Sequence, residues 1–353
     1  MLARKMTRRA FVSSMGTVTL SALAGCGGNG SESGDDGSEA ARIEVVADTG
    51  GINDQSFNQL AWTGLQQLRD EDGCEVSYME SRQDSDYVTN IDKAVDDECT
   101  IVWGIGNAMS AAMNAAAEQN PDIMFASIDG VNESGLENLT CVNFKSHEAS
   151  FVVGYIAARM STSGKVGFIG GQRIGIIEQF ECGYFAGVEY ANSEQGSAVT
   201  YQAQYAESFS DAAKGKSIAQ KMIGDGCDVL FHAAGGVGTG MFEACEDAKV
   251  WSIGVDQDQA ALFPDYTTII TSVLKRVDVA VVNVTRGLLD GSIESGQSLV
   301  LGAAEDAVGI PESHDLLPDD IYNDAIALFD KIKSAEIVVP DSEDGLKSFK
   351  AGL

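Results

Sequence analysis

The chain has 353 residues, 23 of them basic against 53 acidic for a formal net charge of −30, and 44% are hydrophobic. A surface this acidic repels nucleic acid and anionic membranes, so neither is an expected partner. Asp and Glu occur in every segment and not in one block, which reads as a surface kept hydrated in high salt more than as a patch that steers a cation.

In chain order, the first element is an export signal. Thr7-Arg8-Arg9-Ala10-Phe11-Val12 has the twin-arginine form, and Leu23-Ala24-Gly25-Cys26 reads as a lipobox. The apolar run between them falls short of the roughly 17 residues that a spanning helix needs. An uncleaved membrane anchor, the competing reading, leaves the Leu-Ala-Gly-Cys ending unexplained. Residues 1–26 are therefore expected to direct export and to end at a lipidated Cys26, which holds the protein on the extracellular face of the membrane without spanning it. Residues 27–41, rich in Gly, Ser, Asp and Glu, are expected to form a flexible acidic tether.

From Arg42 onward a rhythm sets in. Short apolar or β-branched runs (Ile43–Ala47, Glu75–Met79, Ile101–Trp103, Ile123–Ser127, Thr140–Phe144) alternate with segments of helical length (Gln55–Asp70, Tyr87–Asp97, Met109–Gln119), the pattern of a parallel βαβ sheet. After a long helical stretch from His147 to Met160 the rhythm restarts. Strands are predicted at Lys165–Ile169, Val199–Gln204, Asp228–Phe231, Val250–Val255 and Thr267–Ser272, with helices near Glu178–Ala191, Asp211–Ile223, Met241–Ala248 and Lys275–Leu289. The expected fold is α/β with two doubly wound lobes, residues 42–145 and 146–274. Segments near 275–315 are expected to cross back to the first lobe, and 316–353 to form a C-terminal helical segment. Open α/β sheets bind ligands at the carboxyl ends of their strands, so two such lobes place a cleft between them.

Six cysteines follow Cys26 (Cys74, Cys99, Cys141, Cys182, Cys227 and Cys245). An even number outside the cell invites disulfides, yet each sits where a small apolar residue would serve, and twin-arginine substrates fold before export in a reducing compartment; buried free thiols are expected. With no Cys-x-x-Cys pair and three scattered histidines (His147, His232, His314), neither a zinc site nor any other cofactor is called for.

The loops at the strand ends carry the candidate ligand residues. The first strand runs into Asp48-Thr49-Gly50-Gly51-Ile52-Asn53-Asp54-Gln55-Ser56-Phe57-Asn58, a later one ends in Ser127-Ile128-Asp129-Gly130, and another in Gly254-Val255-Asp256. Phe209 lies in the loop before the helix that starts near Asp211. An aspartate before a helix is often a cap, the reading preferred for Asn53 and Asp54; Phe57 and Phe209 taken alone suit a core, and Gly235 and Gly236 suit a plain turn as well as a backbone that approaches a ligand. Enzyme motifs fail. Lys214-Gly215-Lys216-Ser217 imitates the end of a P-loop but has Ser210 where the first glycine belongs, and Gly236-Val237-Gly238-Thr239-Gly240-Met241 lacks the third glycine of a dinucleotide fingerprint. No Gly-x-Ser-x-Gly elbow is present.

Six ordered motifs resemble the basic membrane protein family of lipid-anchored, nucleoside-binding receptors of ABC transporters. They are Ala47–Asn58, Val166–Gly171, Phe209–Ser217, His232–Gly238, Ile253–Gln257 and Ser272–Asp278, and together they span the body. The resemblance implies a type I periplasmic-binding-protein fold that closes around a nucleoside, often a purine one, and delivers it to permease subunits. With the enzyme motifs failing, no enzyme activity is expected, and the chain is expected to be monomeric. Carried over by motif, Phe57 and Phe209 stack on the two faces of the base and Asp48 lies near the base edge. Asp129, Asp256 and Lys275 hold ribose hydroxyls and base edges, and Thr49 stands where some members carry Asn. A carboxylate accepts two hydroxyl protons at once, which suits a ribose diol. The alternatives are a sugar receptor of the same fold, which would not need the two rings, and a nucleoside hydrolase built on the aspartates.

Overall fold

The computed structural model describes residues 40–353; the export signal, Cys26 and residues 27–39 of the tether lie outside the described residues. The first half of the body forms β1 (Arg42–Ala47), α1 (Phe57–Asp72), β2 (Glu75–Glu80), α2 (Asp86–Asp96), β3 (Ile101–Ile105), α3 (Ser110–Gln119), β4 (Met124–Ile128) and β5 (Leu139–Phe144). Helix α1 shows the local logic. The Asp54 carboxylate accepts from the backbone N–H groups of Ser56, Asn58 and Gln59 at 2.9, 2.9 and 3.1 Å, satisfying donors that the first turn leaves open. Leu60, Ala61, Leu65 and Leu68 recur on the buried face, and Gly73, at a φ of 72°, ends the helix in the left-handed conformation. The cap reading of Asp54 thus matches its hydrogen bonds.

The chain continues through α4 (Ser146–Met160), β6 (Lys165–Gly170), α5 (Gly175–Gln195), β7 (Thr200–Tyr205), α6 (Ala212–Gly224), β8 (Val229–Ala233), α7 (Val237–Ala248), β9 (Trp251–Asp256), α8 (Gln259–Leu262) and β10 (Ile269–Lys275). It ends with α9 (Val277–Asp290), β11 (Ser298–Leu301), β12 (Val308–Gly309), α10 (Asp319–Lys333) and α11 (Glu343–Gly352). Two six-stranded sheets result, ordered β11-β5-β4-β3-β1-β2 and β12-β10-β9-β8-β6-β7. All pairings are parallel except β10 with β12. Central strands such as β3 and β8 are buried at every residue, as expected where helices cover both faces of a parallel sheet. The chain passes between the sheets after β5, after β10 and again after β11, so neither lobe is one continuous stretch. Helix α9 belongs beside the first sheet: Trp103 Nε1 of β3 donates to Thr285 Oγ1 at 3.0 Å, and Arg286 pairs with Glu71 and Asp72.

The helix predicted from Lys275 begins two residues later, at Val277. Leu274 and Lys275 still pair with Gly309 and Val308, which keeps them in β10 and aims Lys275 at the strand's carboxyl end. All six body cysteines are buried and unpaired, and burial pushes the Cys99 and Cys182 thiols up to about 12, so they pack as small inert apolar groups.

Candidate ligand-binding site

The carboxyl ends of β1, β2, β3, β4, β6, β7, β8, β9 and β10, with the loops that follow them, surround one cleft between the two sheets. Asp48, Thr49, Phe57, Asp129, Phe209, Gly235, Asp256 and Lys275 all line it; Gly236 does not, standing one residue behind the lining as the N-cap of α7. The two phenylalanines come from opposite lobes and are half-buried, with ring surface left facing the cleft. Phe57 opens α1. The Phe209 ring lies on Gly171, where an added Cβ would fall 2.2 Å from the ring, so glycine at 171 gives the ring its seat.

Lys275 is the cation of the cleft. Its ammonium pairs with Asp129 across the lobes, with side chains only 2% and 8% exposed, and lies 4.6 Å from the Phe57 ring centroid and 5.0 Å from that of Phe144. Five carboxylates line the same space: Asp48, Asp54, Asp84, Asp129 and Asp256. Asp256 accepts from the Ser56 hydroxyl of the other lobe. Burial raises its carboxyl to about 6, against the pull of Lys275 and the Ser56 bond. Burial likewise raises Asp48 to about 6, although its Oδ1 accepts from the Gly50 N–H and the Asn58 amide, each at 2.8 Å. Asp129 and Asp256 end corresponding strands in the two lobes with φ of 59° and 68°, a left-handed backbone that Asp tolerates better than most residues. This turn swings each carboxylate off the sheet and into the cleft.

The loop residues were visible in the sequence, but the apolar wall was not. Ile174, Ile176, Ile177 and Phe180 also line the cleft, from the first turns of α5 and the loop before it. The helix is legible from Glu178 onward, so the isoleucines ahead of it read as connector. Asp84, in the loop after β2, and Tyr87, in the first turn of α2, also reach the cleft. Among the described residues, no cluster of His, Cys, Asp or Glu has the arrangement of a metal site, and no helix is long and apolar enough to cross a membrane.

Two parallel-stranded sheets joined by three crossings, with a cleft between their carboxyl edges, define a solute-binding protein of the type I periplasmic-binding-protein fold. A solute-binding protein of an ABC transporter system from Aeropyrum pernix superimposes with a TM-score of 0.79 at 27% identity, covering 88% of this chain and 98% of that one. The chain belongs to the Bmp family, described as ABC transporter substrate-binding protein PnrA-like, which matches residues 42–343. It is 37% identical to the ABC transporter nucleoside-binding protein BmpA of Lactococcus lactis subsp. cremoris over 81% of this chain and 86% of that protein. It is also 34% identical to basic membrane protein A of Borreliella burgdorferi over 92% and 94%. It is therefore an ABC transporter substrate-binding protein, from a family of binding proteins and not of enzymes.

Proposed function

We propose that the protein captures nucleosides, preferably purine ones, by closing its two lobes and delivers them to an ABC permease while held by lipid at Cys26 on the outer face of the membrane. The observation that carries this reading is the pairing of Phe57 and Phe209 from opposite lobes with strand-end carboxylates in one cleft. Two aromatic faces suit a flat heterocycle, each stacking contact adding about 0.5–1.5 kcal/mol beyond burial. Asp129 and Asp256 suit the ribose diol, Asp48 and its Asn58 partner suit the polar edge of a base, and Gly235 lets the backbone approach. Thr49 and Lys275 complete the set.

The same charges define what is refused. A phosphate group would meet five carboxylates and a single lysine already engaged by Asp129, so phosphorylated nucleosides are excluded. Calorimetric titration of the purified chain in high salt with adenosine, guanosine, inosine, uridine, ribose and adenosine monophosphate tests both statements. Saturable binding of nucleosides, weaker for ribose and absent for the monophosphate, is expected. Ribose binding as tightly as adenosine would replace the reading with a sugar receptor, and release of free base during the titration would replace it with a hydrolase.

Protonation gives a second test. Asp48 and Asp256, raised from 3.8 to about 6 by burial, supply acceptors only when ionised. Nucleoside affinity is expected to fall as pH is lowered through about 6. The effect on folding has the opposite sign: a carboxyl whose pKa is higher folded than unfolded stabilises the fold below about 4, and that contribution is lost as pH rises through about 6. Titrations at pH 7.5, 6 and 5, with melting curves at each, separate the two; affinity that is flat across this range would remove these carboxylates from the ligand's contacts.

A further inference from the structure

The motifs His232–Gly238 and Ile253–Gln257 contain more structure than the cleft uses. Gln259, the first residue of α8, is buried and lies outside the cleft's lining. Its backbone N–H donates to Ser272 Oγ at 3.1 Å, and its Oε1 accepts from the Val255 N–H at 2.8 Å. A backbone N–H only donates, so this contact fixes which end of the amide is oxygen. The NH2 end then points at the other lobe, where it donates to the Gln55 carbonyl at 3.1 Å. His232, wholly buried on β8, faces the same Oε1 through Nε2 at 3.0 Å and must carry its proton there. Burial lowers its pKa to about 4, which keeps the ring neutral.

Two glycines make room for this relay. A Cβ on Gly238 would fall 2.0 Å from the His232 ring, and one on Gly254 would fall 2.7 Å from Gln259 Oε1. On the facing side, Gln55 has a φ of 57°, and this left-handed turn belongs to the same loop that presents its carbonyl. The next residue, Ser56, bonds Asp256.

We propose that Gln259, oriented by His232, is the latch that holds the two lobes shut, gripping the Gln55 backbone without touching the ligand. This rests on the capture-by-closure reading above. The latch contacts neither base nor sugar, so it sets how tightly every ligand is held and leaves the choice among ligands to the cleft. His232 acts through Gln259 and is a positioning residue.

The test compares the wild-type chain with Gln259→Met, which removes all three side-chain hydrogen bonds at similar volume, and Gln259→Glu. The glutamate keeps an oxygen for the Val255 and His232 donors, loses the N–H aimed at Gln55 and sets a carboxylate oxygen against that carbonyl instead, so it serves if the methionine variant does not fold. Small-angle scattering without nucleoside is expected to show a larger radius of gyration in both variants. Calorimetry is expected to show affinity reduced roughly three- to tenfold for adenosine, guanosine and uridine alike, the worth of one buried neutral hydrogen bond. A merely structural role would lower the melting temperature and leave both readouts unchanged, which would overturn the proposal. Loss of affinity for one nucleoside alone would also overturn it. If the wild-type chain binds no nucleoside, the proposed function fails while the scattering comparison still decides the latch.

Discussion

Replacing Lys275 by methionine is expected to cost about 3–5 kcal/mol of folding stability, read from denaturant unfolding in high salt. The lysine and Asp129 are almost fully removed from water, and the ammonium also rests against the rings of Phe57 and Phe144. Without it, Asp129 and Asp256 would stand as uncompensated carboxylates at the junction of both lobes. Adding Asp129→Asn to the same chain is expected to restore much of the loss, because the penalty comes from the stranded charge more than from the missing attraction. A single-variant loss below about 1 kcal/mol would mean that water reaches the pair and that the junction is softer than its burial indicates.

Phe209→Ala is expected to weaken nucleoside binding by about thirtyfold or more, the effect of removing an aromatic anchor worth at least ~2 kcal/mol. The ring is half-buried and seated on Gly171, so the variant should remain folded and the change should appear in affinity. Ribose, which offers no face to stack on, should bind the variant and the wild type equally. Calorimetry with adenosine and ribose side by side checks this. An unchanged adenosine affinity would show that the ring only packs against the protein.

Much of the architecture was legible because the helices and central strands obey simple periodicities. Ile101–Ile105 is continuously apolar and Val229–Ala233 is apolar but for His232, and the helices between such runs repeat every three to four residues. Two of the four edge strands escaped: β11 has four residues in alternating half-burial and β12 has two, and both exist only because a distant strand offers them hydrogen bonds. Lys275 was read as a helix start because the helical spacing of Val277 and Val281 begins beside it, whereas its strand pairing is a tertiary fact. The cleft follows the same division. Strand-end loops can be located from the rhythm alone, so Asp48, Asp129 and Asp256 stood out; the isoleucines ahead of α5 and the Gln259 relay had no local signal, since a buried polar pair such as His232 and Gln259 is recognisable only once the fold brings it together.

The interlaced path of the chain has a consequence for biosynthesis. The first sheet lacks its outer strand until Ser298–Leu301 has been made, and the second lacks its antiparallel closing strand until Val308–Gly309. A nascent or truncated chain that stops before them exposes the edges of β5 and β10 together, and open strand edges pair readily with other chains. Neither lobe can mature while the ribosome is still building the other, so the product reaches its native state as a whole or not at all.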